Sequence, residues 1–228
     1  QVTALRNGMA VATSYWSPLT EDMAVVDHIE FVKGPAGFLM PVGDPAGIYN
    51  VVTKRPTGES KGEVTLQAGS YDLYRATLDL DGKLDRQGRL LYRLNLSAKT
   101  ANSFRAFEYN NRQTIAPVIS YQLDDNTVLT AEYILSKVKS SDVGSYYVFS
   151  SKGMGVLPRN FTIADPGLEP TFITDQSVTV NLKHRFNDHW TFTAQAAYLQ
   201  YNQTGTSLWA ASASADSMVR SQGLWDAA

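Results

Sequence analysis

Residues 89–98 read RLLYRLNLSA, and this stretch decides the fold. Apolar side chains occupy every second position from Leu90 to Ala98, and the positions between them are mostly polar, as at Arg93 and Asn95. Successive side chains of a β-strand point to opposite faces, so a period of two over about ten residues indicates a strand with one apolar and one polar face.

The same alternation recurs in TVLTAEYILS at 127–136 and in WTFTAQAAY at 190–198. Short polar turns are predicted at 85–88, 124–126 and 187–189, and long loops at 101–111, at 140–174 and after residue 202. Strands of about ten residues, joined by short turns at one end and long loops at the other, are typical of a transmembrane β-barrel. About seven strands are predicted after Gly62, too few to close a wide barrel, so more strands are expected outside this chain. The same pattern is also compatible with a soluble sheet that has one buried face, and the pattern alone does not decide between the two.

Composition excludes several other functions. The net charge is −2, so there is no basic field to recruit nucleic acid. The chain has no cysteine, and its three histidines, at 28, 184 and 189, lack partners at metal-ligand spacing. We find no set of nucleophile, base and orienting residue, and therefore expect no catalytic residues and no protein-held metal.

Glycine and proline cluster in residues 1–56, where residues 27–56 read DHIEFVKGPAGFLMPVGDPAGIYNVVTKRP. This block closely resembles the plug signature of TonB-dependent siderophore receptors, which combines an I-E-x-x-[RK]-G-P core with an N-x-x-[ST]-K-[RK]-P ending. The step GSYDLYR at 69–75 is similar to the first barrel hairpin of that family. Within the family, the chain looks nearest to the ferrichrome-type hydroxamate receptors.

The resemblance implies a mostly β fold: a transmembrane antiparallel barrel of about 22 strands with an N-terminal α+β plug. Residues 1–56 would be the C-terminal part of the plug, and 57–228 the first barrel strands. Both ends of the sequence read as those of an excerpt. The implied function is import of ferric siderophores through the outer membrane of a Gram-negative bacterium. The protein would be a monomeric barrel surrounded by outer-membrane lipid, and it would not be an enzyme. The inner-membrane proton-motive force would act through TonB on a box upstream of Gln1. No cofactor is expected, because the chelator holds the iron.

The resemblance also suggests roles for particular residues. Tyr15 and Trp16 match the apex loop of the plug, and Tyr146, Tyr147 and Phe149 an outer segment of the barrel, so these five aromatic residues are candidate siderophore contacts. The alternative for them is packing within the plug, the loop or an aromatic girdle. Lys33 and Arg55 match basic plug positions that pair with glutamates of the barrel wall, and those glutamates are expected outside this chain. A last group is expected to shape the turns of the plug: Gly34, Pro35, Gly37, Gly43 and Gly47.

Three other functions compete with siderophore import. The same architecture could carry an oligosaccharide, cobalamin or a peptide. A soluble β-sandwich binding or adhesion module would explain the alternation without a membrane. An outer-membrane enzyme is least supported, since the catalytic groups are missing.

Overall fold

The computed structural model describes residues 3–11, 21–34, 47–141, 143–144, 152–153, 155–213 and 218–227. These residues form two β-sheets, which we call the inner sheet and the wall sheet. The inner sheet ends at residue 53 and the wall sheet begins at residue 61. The domain boundary predicted after residue 56 lies in the connection between them, and the assignment of the two parts as plug and barrel domains stays a prediction at this point.

The inner sheet has the strand order β2-β1-β4-β3, with β1 parallel to β4 and the other pairs antiparallel. Its strands are β1 (Thr3–Arg6), β2 (Met9–Ala10), β3 (Val26–Lys33) and β4 (Gly47–Thr53). Asn7 and Gly8 have φ angles of 50° and 82°, and join β1 to β2 as an Asn-Gly hairpin turn, whose two central residues require positive φ.

The wall sheet is an antiparallel meander in which each long strand pairs with the next. Its strands are β5 (Lys61–Gly69), β6 (Leu73–Lys83), β7 (Leu90–Thr100), β8 (Asn110–Asp124), β9 (Thr127–Ser140), β10 (Val143–Gly144), β11 (Thr171–Arg185), β12 (Thr191–Ala213) and β13 (Met218–Ala227). The two-residue strand β10 pairs in parallel with β12. The three short turns lie where the sequence predicted them, at 84–89, 125–126 and 186–190.

Two sequence predictions about the strands are wrong in detail. The segment after residue 202 is not a loop, because β12 continues to Ala213 and pairs with β13, and β11 already begins at Thr171. The described part of the wall therefore holds eight long strands rather than about seven. Small and polar side chains replace the apolar alternation in 202–213, so the apolar period that marks a membrane strand ends before the backbone pairing does.

The two faces of the wall sheet are inverted relative to those of a soluble protein. Apolar side chains point outward and stay exposed, as for Leu66 at 77%, Trp190 at 71% and Tyr198 at 63%. Polar side chains point to the inner sheet and are buried, as for Asn95 at 1% and Ser97 at 5% exposure. The polar face predicted for residues 89–98 is thus the face that meets the inner sheet.

A small apolar core joins the two sheets. Val25, Val26 and Val51 of the inner sheet pack against Ala116 of β8 and Ile134 of β9, and all five are buried. The described residues contain strands only, and none of them forms a helix long and apolar enough to cross a membrane. This core is small within the described ranges, where polar contacts supply much of the cohesion between the sheets.

Gly47 begins β4 with a φ of 133°, and a Cβ built there would overlap the carbonyl oxygen of Val32 on β3. We expect Gly47→Ala to destabilise the inner sheet of the full-length protein more than Gly34→Ala. Gly34 also has a positive φ, of 82°, but a Cβ there would have nothing within 4 Å, so its substitution costs only the backbone strain of about 1 kcal/mol. Differential scanning calorimetry in detergent measures the unfolding midpoint of each variant. Equal decreases in the two midpoints would contradict the overlap between a Cβ at position 47 and the Val32 carbonyl oxygen.

Candidate functional site at the interface of the two sheets

Arg6 connects the inner sheet to the wall. Its Nε donates to Glu21 Oε1 over 2.7 Å, and its two Nη groups donate to Ser177 Oγ over 3.1 Å and Asp175 Oδ2 over 3.3 Å, both on β11. The side chain is 5% exposed. Burial alone would lower the pKa of Arg6, but the carboxylates of Glu21 and Asp175 outweigh burial and raise that pKa above its ordinary value. The guanidinium therefore stays charged, as the two carboxylates beside it, each 13% exposed, require.

Asn7 makes the second bridge, one residue along the chain. Its Nδ2 donates to Thr53 Oγ1 over 2.8 Å and to Glu132 Oε2 of β9 over 3.0 Å, while its Oδ1 accepts from the Thr53 amide over 3.0 Å. Glu132 is 8% exposed. The left-handed backbone of the β1–β2 turn aims this amide side chain at the wall, so the turn and the bridge depend on each other.

Asp22 makes the third bridge, just before β3. Its Oδ1 accepts from Arg75 Nη2 of β6 over 2.5 Å, and its Oδ2 accepts from Ser97 Oγ of β7 over 2.9 Å. The same carboxylate caps the local turn by accepting from the Ala24 amide over 2.9 Å. A single buried carboxylate thus fixes a turn of the inner sheet against two wall strands.

The connection between the sheets is held by two aspartates of β6. Asp79 accepts two hydrogen bonds of 2.9 Å from Arg93 of β7, and a third of 2.9 Å from Lys54 Nζ. Asp81 accepts from the Thr57 amide over 3.1 Å and from Thr57 Oγ1 over 2.7 Å. Lys54 and Thr57 thus attach residues 54–57 to β6, and the bidentate pair with Arg93 fixes the orientation of the Asp79 carboxylate that Lys54 contacts.

The two basic residues singled out in the sequence behave differently. Lys33 is exposed at the end of β3, and no described carboxylate pairs with it. The Arg55 carbonyl accepts from Arg93 Nη1 over 3.0 Å, and Arg55 lines a cavity of about 10 Å³ together with Glu132. Arg55 also attracts the Glu132 carboxylate electrostatically. No ion pair of the Arg55 guanidinium is seen among the described residues, so the expectation that it pairs with a wall glutamate outside this chain stays a prediction.

Of the other predicted site residues, the structure describes Gly34 and Gly47 but not the rest. Gly34 and Gly47 have φ angles of 82° and 133°, values that favour glycine, and each ends or begins a strand of the inner sheet. Their role in shaping turns stays a prediction with this geometric support. The remaining candidates lie outside the described residues: Tyr15, Trp16, Pro35, Gly37, Gly43, Tyr146, Tyr147 and Phe149.

Sequence reasoning missed most of the residues that join the sheets. These are Arg6, Asn7, Asp22, Lys54, Arg75, Asp79, Asp81 and Asp175. One signal was available: Asp79 and Asp81 sit on the polar face of β6, opposite Asn95 and Arg93 of β7. Charged side chains inside a wall need partners, so this face could have been searched for them. Among the described residues, no group of three histidine, aspartate or glutamate side chains could hold a metal ion.

Comparison with known proteins gives a consistent set of relatives. No protein-family model matches the chain. The metal-pseudopaline receptor CntO of Pseudomonas aeruginosa is 36% identical over 178 residues, which cover 78% of this chain and 25% of that receptor. The ferripyoverdine receptor of the same species is 32% identical over 74% of this chain and 21% of its own length. The ferrichrome outer membrane transporter/phage receptor of Escherichia coli is 28% identical over 81% of this chain and 25% of its own length.

Solved structures agree with these relatives. A structure of FpvA from P. aeruginosa bound to a heterologous pyoverdine superimposes with a TM-score of 0.82, at 25% identity, over 98% of this chain and 31% of that one. The chain spans about a quarter of the length of the curated relatives it matches. Those relatives are receptors and transporters, not enzymes.

We expect Arg6→Met to destabilise the docking of the inner sheet, since it leaves the largely buried Glu21 and Asp175 carboxylates without a cation. Breaking a buried pair in this way costs about 3 kcal/mol. Urea unfolding of the full-length protein in detergent, followed by a probe on the inner sheet, measures the change. Arg89→Met is the control, because Arg89 is exposed in the 84–89 turn and its loss should change stability by less than about 0.5 kcal/mol. Equal effects of the two substitutions would contradict the assigned role of Arg6.

Proposed function

The chain belongs to the family of TonB-dependent outer-membrane receptors for siderophores and related metal chelates, and from this we propose that the protein imports a ferric siderophore through the outer membrane of a Gram-negative bacterium. The inner sheet is then the plug, and the wall sheet is part of the barrel that surrounds it. The observation that carries the proposal is the inverted wall, with apolar side chains outward and a polar face joined to the plug by Arg6, Asn7 and Asp22.

A plug held in this way blocks the barrel until work is done on it. Arg6 and Asp22 are buried and their ion-pair partners Asp175 and Arg75 are partly buried, so removing one partner without the other is costly. Water that enters with a moving plug can solvate both partners again, which makes the contacts reversible. We propose that the inner-membrane proton-motive force supplies the work through TonB, which would pull on a segment upstream of Gln1.

The cargo proposal rests on the relatives. Their names give ferripyoverdine, ferrichrome and metal-pseudopaline as ligands of those receptors. A ferric chelate carries its metal in the chelator, so the receptor needs neither a metal site nor a cofactor of its own. Tyr15, Trp16, Tyr146, Tyr147 and Phe149 are the proposed contacts, because adjacent aromatic rings offer flat apolar surface and hydrogen-bond donors to a chelator rich in carbonyl groups.

The metal-pseudopaline receptor supports a second candidate cargo, a chelate of a metal other than iron. The two candidates share the architecture and differ in the metal and chelator. Growth of a siderophore-deficient strain that expresses the full-length protein distinguishes them. Growth under iron limitation with a ferric siderophore supports the first, growth that depends on a chelate of another metal supports the second, and growth with neither contradicts both.

Trp16→Ala should weaken binding of the ferric siderophore by about fivefold, since the loss of one stacking aromatic removes about 1 kcal/mol. Tryptophan fluorescence quenching of the full-length receptor in detergent measures the affinity. Trp190→Ala is the matched control, because Trp190 lies at the 186–190 turn and is 71% exposed on the outward face. An unchanged affinity in Trp16→Ala would rule out the apex contact while leaving the cargo class untouched.

A further inference from the structure

Three cations form a row on the inward face of the wall, close to its long-loop end. Arg75 of β6 lies opposite Lys99 of β7, and Lys99 lies opposite Arg112 of β8. Lys99 follows the buried Ser97 by two positions, so it stands on the same face as the hydroxyl that donates to Asp22 of the inner sheet. The row therefore lies inside the wall, one step beyond the Asp22 bridge on the long-loop side.

A row of like charges is unfavourable unless anions compensate it. Side chains directly opposite each other on neighbouring strands have Cβ atoms about 5 Å apart, and like charges at that separation destabilise a sheet. Asp22 compensates Arg75, at 2.5 Å. No carboxylate in the described part of the chain forms an ion pair with Lys99, and Arg75 and Arg112 both repel its ammonium group. Lys99 is therefore the position in the row where an added anion would be most stabilising.

The carboxylates nearest to the row are engaged with other cations. Glu21 and Asp175 both pair with Arg6, and Asp22 pairs with Arg75. Moving one of them to Lys99 would leave an arginine of the interface without its partner. An anion for Lys99 therefore has to come from a molecule that enters the lumen.

Lys99 is also within reach of such a molecule. It is half-buried and is the last residue but one of β7, next to the loop at 101–109. Long loops of an outer-membrane barrel face outward from the cell, so a ligand that arrives from outside meets this end of the lumen first. Beyond Arg112, the same cross-strand row continues with the apolar side chains of Val138 on β9 and Ile173 on β11. Cations and apolar side chains in one row match an organic ligand that carries a negative group.

We propose that Lys99 determines specificity in the import site by binding a carboxylate at the periphery of the metal chelate. The inference rests on the import function proposed above and names its cargo class: chelates with a peripheral negative charge, in preference to neutral or cationic ones. The carboxylate accepts a charge-assisted hydrogen bond from the Lys99 ammonium group, and Arg112 adds a field of the same sign across the strand. Arg75 stays with Asp22, so the ligand contact and the bridge to the inner sheet use different cations.

Three ferric complexes that share one iron core test this proposal. The probes are ferrioxamine B, whose linear chelator ends in a free amine, and the same complex with that amine acetylated or succinylated. Their terminal groups are cationic, neutral and anionic, respectively. Tryptophan fluorescence quenching of the full-length receptor in detergent measures each affinity. We expect the succinylated complex to bind about tenfold more tightly than the acetylated one, as for one charge-assisted hydrogen bond, and the amine complex to bind most weakly.

Substitutions at two lysines assign this preference to the row. Lys99→Gln should abolish the preference for the succinylated complex, and Lys99→Arg should keep most of it because the charge remains. Lys137→Gln is the matched control: Lys137 lies within one residue of the same level, but on the exposed outward face of the wall. Its loss should leave the preference unchanged. The preference is a ratio of affinities within one variant, so a general loss of stability does not imitate the effect.

Equal affinities of the unmodified receptor for the acetylated and succinylated complexes would overturn the proposal. A Lys99→Gln variant that keeps the full preference would overturn it as well. Failure of all three complexes to bind would count against the import of a ferric siderophore itself, on which the inference rests, and is thus distinguishable from a failure of the charge preference alone.

Discussion

Every long strand of the wall has two faces that need different surroundings, and this constraint governs the rest of the structure. Successive side chains alternate, so the strand that shows Leu94 and Leu96 outward must show Asn95 and Ser97 inward. Leu94 and Leu96 are stable in contact with hydrocarbon, but Asn95 and Ser97 are not, because a buried polar group without a hydrogen-bond partner costs several kcal/mol. The polar face therefore needs a polar partner, and the inner sheet supplies it through Asp22, which accepts from Ser97.

The same constraint explains why the contact between the inner sheet and the wall is made of charges rather than of a large apolar core. Among the residues that the structure describes, the shared core holds five buried residues, whereas Arg6, Asp22 and Lys54 each form an ion pair with the wall. An apolar interface would resist rehydration when the plug moves. Buried ion pairs hold the register firmly when intact, but water can replace each partner once both are exposed together. The import proposed above, in which the inner sheet moves within the wall, would need this combination of registry and reversibility.

The sequence was sufficient for the parts of the fold that depend on local pattern. Alternation at 89–98 and 127–136 predicted the strands and their faces, and clusters of aspartate, asparagine and glycine predicted the three short turns. The prediction of a loop after residue 202 is wrong because 202–213 has no apolar period, although its backbone pairs with β13. The pairing of Arg6 with Asp175 spans 169 positions, and only the folded chain brings those two residues together. Arg55 and Lys33 were found by resemblance, yet resemblance alone did not place Glu132 beside Arg55.

The central claim is that the wall is inside out, with its apolar face in lipid and its polar face on the plug. It is tested most directly by spin labels on single cysteines, which this part of the protein does not otherwise contain. Labels at consecutive positions from Leu129 to Leu135, in the full-length receptor reconstituted into bilayers, report accessibility to oxygen, which concentrates in lipid, and to a polar nickel chelate, which does not. We predict high oxygen accessibility at 129, 131, 133 and 135, and labels shielded from both reagents at 130, 132 and 134. High oxygen accessibility at the even-numbered positions instead, or high accessibility to the nickel chelate at the odd-numbered ones, would contradict the inverted wall and favour a soluble sheet.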